Sequence, residues 1–147
     1  MMMIIYGKYG GVALRAVHLM VQNHYGHGAA WDMAIAEAFG EQGSVRYKNN
    51  PRVTFLTLCS LGVVGCILPC GYDAAPKTRA HVLRALELLA RREPTTPINP
   101  DLLWQEVIAK DKGKAKHNNQ MDVVLTLWSA RIIELGGHRF ALSPEGI

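Results

Sequence analysis

Asn118-Asn119 followed by Leu125-Thr126-Leu127-Trp128-Ser129 repeats Asn49-Asn50 followed by Leu56-Thr57-Leu58-Cys59-Ser60, at an offset of 69 positions. Two more matches flank this one in the same order. Leu14-Arg15-Ala16-Val17-His18-Leu19 returns as Leu83-Arg84-Ala85-Leu86-Glu87-Leu88 at the same offset. Trp31-Asp32-Met33-Ala34-Ile35-Ala36 returns as Trp104-Gln105-Glu106-Val107-Ile108-Ala109 at 73. The offset changes only across loops, the mark of a duplicated supersecondary unit. The expected organisation is one compact domain over 1–147, built of repeat 6–73 and repeat 77–147.

Each repeat reads as three helices and a hairpin. Val12, Ala13, Ala16, Val17 and Met20 form an apolar stripe at helical spacing, as do Val82, Ala85, Leu86 and Leu89. Trp31, Ala34, Ile35, Ala38 and Phe39 share a face in the second helix, which stops at Gly40. Its counterpart opens with Asn99 as cap, Pro100 and Asp101. The third helices start at Pro51 and at Asn118 or Asn119, the latter with Val124, Leu125, Trp128 and Ile132 inward. Ile132-Ile133-Glu134-Leu135, Gly136-Gly137 and His138-Arg139-Phe140-Ala141-Leu142 read as a hairpin. Residues 63–71 read as a poorer one. The expected fold class is therefore mainly α with short β-hairpins, a tandem duplication of a three-helix winged-helix-like (helix-turn-helix) unit. A helical domain whose hairpins are mere loops is the alternative.

Composition bounds the rest. Of 147 residues 49% are hydrophobic and 19% charged, which excludes a disordered or collagen-like chain. Residues 53–70 carry no charge and approach the length of a membrane span. The partner stretch 121–135 carries Asp122, Arg131 and Glu134, so a shared fold is a soluble one and no membrane partner is expected. Cys59, Cys66 and Cys70 are an odd set with no zinc-ligand spacing, which points to reduced thiols in a cytoplasmic protein and to no metal.

Sixteen Lys and Arg against twelve Asp and Glu give +4, and the cations are unevenly placed. Arg46, Lys48 and Arg52 surround the start of the first repeat's third helix. Lys110, Lys112, Lys114, Lys116 and His117 precede that of the second, followed by Asn118, Asn119 and Gln120. In helix-turn-helix proteins the last helix enters the major groove amino end first. Cations there neutralise phosphates, while Asn and Gln pair with adenine edges. Arg46, Lys48, Arg52, Lys112, Lys114, Lys116, His117, Asn118 and Gln120 are thus the expected contacts to DNA or RNA. The bland reading is a solvated Lys-Gly-Lys-Ala-Lys loop beside capping asparagines. Winged helices also dock proteins, so an adaptor module or homodimer is the competing function. A small-molecule-binding protein or enzyme ranks third.

Other groups carry less. His24 and His27 in a Gly-rich loop lack further ligands. Gly7-x-x-Gly10-Gly11 precedes a helix but follows no strand and lacks a Gly-Lys-Ser/Thr, so it is no phosphate loop. Ser60 and Ser129 sit where a hydroxyl bonds back to the preceding turn, and Asp122 is placed for the helix dipole. Trp31, Trp104 and Trp128 read as core, and His18, His81 and His138 as surface or packing residues. No catalytic set, and so no cofactor, is implied.

Tyr6-Gly7-Lys8-Tyr9, Pro51-Arg52-Val53-Thr54-Phe55-Leu56-Thr57-Leu58-Cys59 and Asn119-Gln120-Met121-Asp122-Val123-Val124-Leu125-Thr126-Leu127-Trp128 resemble a small uncharacterised bacterial protein family, a domain of unknown function. The chain departs from the family pattern at Thr57, where the pattern has Gly, and at Ser60, where it has an acidic residue. The resemblance implies that Lys48, Pro51, Arg52, His117, Asn119, Gln120 and Asp122 belong to motif strings. It implies no activity.

Overall fold

The computed structural model describes residues 3–40, 48–111 and 115–135. Among them are six helices: α1 (Gly7–Asn23), α2 (His27–Phe39), α3 (Asn49–Ser60), α4 (Pro76–Leu89), α5 (Pro100–Val107) and α6 (Gln120–Ser129). Each apolar stripe faces inward. Val12, Ala13, Ala16 and Val17 of α1 are buried, as are Val82, Ala85, Leu86 and Leu89 of α4. Trp31, Trp104 and Trp128 are core residues. Asn99 caps α5 through its side chain, which accepts from Asp101 N and Leu102 N. Gly40 ends α2 at φ 65°.

Every residue of α6 from Met121 to Ser129 is buried, which makes it the central helix, since a helix enclosed on all sides can only be core. It packs against α3, and α1 lies along it. Burying a helix on all sides forces its hydroxyls to find partners. Thr126 Oγ1 accepts from Tyr6 N at 2.8 Å and Ser129 Oγ accepts from Ile4 N at 2.6 Å. Two hydroxyls one turn apart thereby stitch the extended segment before α1 onto α6. In α3, Ser60 bonds back to Thr57 O, as its sequence position predicts. Ser129, its counterpart, instead serves a distant amide.

The small face of α1 explains the glycines. A Cβ on Gly7 would lie 2.9 Å from Asp122 Oδ2, and one on Gly10 only 2.0 Å from Thr126 Oγ1. These positions one turn apart let α1 approach α6 backbone to backbone. Their role is packing, which a phosphate-loop comparison could not supply.

The winged-helix expectation is corrected. No strand occurs among the described residues, which hold only an isolated antiparallel bridge, Val64 with Ile133. Gly65 N donates to Ile132 O at 2.7 Å and Glu134 N to Val63 O at 2.8 Å. The two segments expected to open separate hairpins pair with each other instead. The cause is the packing of α3 on α6: both segments leave adjacent helix ends through left-handed caps, Gly62 at φ 75° and Arg131 at φ 62°. Residues 69–71 form no returning strand. Gly136-Gly137 and residues 138–142 lie outside the described residues.

The end of α6 is a Schellman motif, with Arg131 N donating to Trp128 O and Ile132 N to Leu127 O, both at 3.0 Å. The left-handed position costs a side-chain-bearing residue about 1 kcal/mol. Gly62 avoids this strain and exposed Arg131 bears it. Arg131→Gly is therefore expected to raise stability by about 1 kcal/mol, or Tm by about 3 °C for a chain of this size. An unchanged or lowered midpoint in a thermal melt would contradict the strain.

No helix among the described residues is long and apolar enough to cross a membrane. The charge-free stretch 53–70 is divided where α3 ends at Ser60.

Candidate anion-binding site at three helix starts

Helix α3 begins after Lys48, α4 at Pro76 and α6 after Asn119, and the packing brings these starts together. A cavity of about 30 Å³ between them is lined by Asn50, Val53 and Thr54 of α3, by Thr78, His81 and Val82 of α4, by Gln120 and Met121 of α6, and by Trp104. That volume admits one or two oxygen-sized groups. The start of a helix carries unpaired N–H groups and partial positive charge, which favour an anion. Amides, hydroxyls and an imidazole on the walls add hydrogen-bonding capacity.

Lys48 joins the segments that precede α3 and α6. Its Nζ donates to Asn119 Oδ1 and lies 5.4 Å from the centre of the Tyr9 ring. Asn119 Nδ2 in turn donates to Asp122 Oδ2 at 2.7 Å, with Asn119 itself in the left-handed conformation at φ 67°. Lys8 Nζ sits 4.7 Å over Phe39, whose ring is 5.2 Å from that of Tyr9. Among the described residues, the contacts of both lysines are with neutral groups. Three arginines differ. Arg15 pairs with Glu37, Arg84 with Glu87 and Arg92 with Glu106. The pairing with Arg15 holds the Glu37 carboxyl below its usual range.

Trp104 is clamped between two imidazoles. His81 meets it edge-on with ring centres 5.0 Å apart, and His117 stacks on it at 5.7 Å. Trp104 Nε1 donates to Ala115 O at 2.9 Å. Each imidazole is tied to a carboxylate at 2.7 Å, His81 Nε2 to Asp111 and His117 Nδ1 to Asp101. Met121 N donates to His117 Nε2 at 3.0 Å, which leaves the ring proton on Nδ1 and makes His117 a side-chain cap for α6. On the outer side of Trp104 an open cleft runs between Asp101, Asp111, Lys116 and His117. No three of the described His, Cys, Asp and Glu residues cluster closely enough to hold a metal ion.

Of the nine residues expected from sequence, Lys48, His117, Asn118 and Gln120 meet at the start of α6. Asn118 N donates to the Gln120 side-chain carbonyl. Exposed Lys116 borders the outer cleft. Arg52 belongs elsewhere: its Nε pairs with Asp32 of α2 at 3.1 Å, and its guanidinium lies over Gly28. Arg46, Lys112 and Lys114 lie outside the described residues. Sequence reasoning missed Asn50, Thr54, Thr78 and His81 as cavity walls and Asp101 and Asp111 as imidazole partners. The Asn-Asn repeat signals Asn50. Nothing in the sequence links His81 to Asp111.

Residues 6–134 match the model of a family of unknown function, DUF6979. No curated protein and no solved structure matches the chain.

Proposed function

The chain belongs to the DUF6979 family, whose function is unknown, and from its own geometry we propose that it binds nucleic acid through the phosphate backbone where α3, α4 and α6 begin. The observation that carries this reading is the Lys48–Asn119 contact, which joins the segments that precede α3 and α6, two of the helices whose starts line the cavity. A phosphate oxygen suits the cavity in size and in the sign of its surroundings. Lys48 and Lys8, whose contacts among the described residues are rings and an amide, supply charge for neighbouring phosphates. Arg52 and His117 serve the fold in this reading and leave the contact set. The same reading takes residues 6–73 and 77–147 as duplicated halves related by an approximate two-fold, since Val64 pairs with Ile133, its counterpart at offset 69.

The test is anisotropy titration of labelled duplex DNA and of RNA across a range of salt. Affinity is expected to fall linearly with salt on a double-logarithmic plot. Lys48→Gln, which keeps a donor for Asn119, is expected to weaken binding about tenfold at low salt and flatten the slope by about one. Arg52→Gln is expected to leave the slope alone. Binding indifferent to salt, or a slope that Arg52→Gln changes and Lys48→Gln does not, defeats the proposal.

A further inference from the structure

Helix α3 ends in a buried thiol, and the connection to α4 brings a second one back over it. Cys59 is enclosed in the core and Cys70 is half-buried, while Cys66 is exposed. Cys70 Sγ lies 3.8 Å from Leu56 O. In an α-helix the carbonyl of residue 56 points toward residue 60, so the Cys70 sulfur rests on the turn that carries Cys59. Burial pushes the Cys59 thiol up, and charge on Cys70 pushes it further.

We propose that Cys59 and Cys70 are a redox pair, closed to a disulfide by peroxide. Cys70, the more accessible partner, reacts first. Its sulfur takes one peroxide oxygen to become a sulfenic acid, and the other oxygen leaves as water. The Cys59 sulfur then attacks the Cys70 sulfur, and the displaced hydroxyl departs with the Cys59 proton as a second water. Both thiols are oxidised and one peroxide is reduced to two waters. Closure is slow, because burial keeps Cys59 protonated and the thiolate is the attacking form. The product fastens the connection between α3 and α4 to the last turn of α3. Residues 63–65 of that connection are bonded to 132–134, so the link braces the joint between the two halves of the chain. Nothing in this pairing depends on nucleic-acid binding.

The experiment treats the full chain with hydrogen peroxide, alkylates remaining thiols in denaturant and maps the peptides by mass. The expected product is a Cys59–Cys70 crosslink with loss of two hydrogens, and a fall in reactive thiols from three to one. Cys66→Ser is expected to crosslink as the wild type does, and Cys70→Ser to keep Cys59 as a free thiol. A Cys66–Cys70 link overturns the proposal, as do a Cys66-linked dimer, a Cys70 sulfinic acid beside a free Cys59, and an unoxidised Cys70 under peroxide that oxidises Cys66.

Discussion

Gly10→Ala is expected to destabilise the protein by about 3 kcal/mol, although alanine is the better helix former by about 1 kcal/mol. The added Cβ falls 2.0 Å from Thr126 Oγ1 and 3.0 Å from the Asp122 backbone carbonyl. Rotating the Thr126 hydroxyl away strips Tyr6 N of its acceptor at 2.8 Å, and a buried amide without a partner costs about 1–3 kcal/mol. Moving the Asp122 carbonyl means separating α1 from α6, and overpacking of this kind costs a further 1–3 kcal/mol. Gly26→Ala is the control, because a Cβ there meets nothing within 4 Å. Urea unfolding of both variants decides the matter. A Gly10→Ala variant as stable as the wild type means that the two helices do not pack as tightly as described.

The other large effect belongs to Trp104. Truncating a fully buried tryptophan costs about 3–5 kcal/mol, and Trp104 is 2% exposed. Trp104→Ala also removes the surface on which His81 and His117 rest and the donor that holds Ala115 O. Trp104→Phe separates these contributions. It keeps a ring for both imidazoles but leaves the Ala115 carbonyl without its indole partner, and is expected to cost only about 1–2 kcal/mol. Chemical unfolding measures both. Equal losses in the two variants would show that the stacked rings contribute little and that the indole N–H bond dominates.

Helices and caps were legible in the sequence because they depend on near neighbours. The stripe of α1, the Asn99 cap of α5 and the stop at Gly40 all follow from residues within a few turns of one another. Pairing between distant segments was not legible. Ile132-Ile133-Glu134-Leu135 has the composition of a hairpin strand, and only the packing of α3 on α6 decides that its partner is residue 64 rather than a strand beyond Gly137. The candidate site divides the same way. The Asn-Asn repeat and the clustered cations marked the starts of α3 and α6. The ionic partner that removes Arg52 is on another helix, and the imidazole duties of Asp101 and Asp111 depend on residues 16 and 30 positions away. Gly7 and Gly10 were visible as glycines, but their purpose lies in Asp122 and Thr126, far along the chain.

The stitching of residues 4–6 to Thr126 and Ser129 also bears on how the chain is made. Helix α1 is synthesised well before α6 and docks on it, with 120 and 125 positions between the bonded residues. Until α6 has been synthesised, the face of α1 that packs on it is uncovered, although α2 already covers another, and Tyr6 N has no acceptor. Contacts so distant in sequence form late and slow the search for the native state. The amino-terminal half therefore waits, partly unsatisfied, for the other half to emerge. During synthesis that uncovered face of α1 is open to chaperones and to premature association.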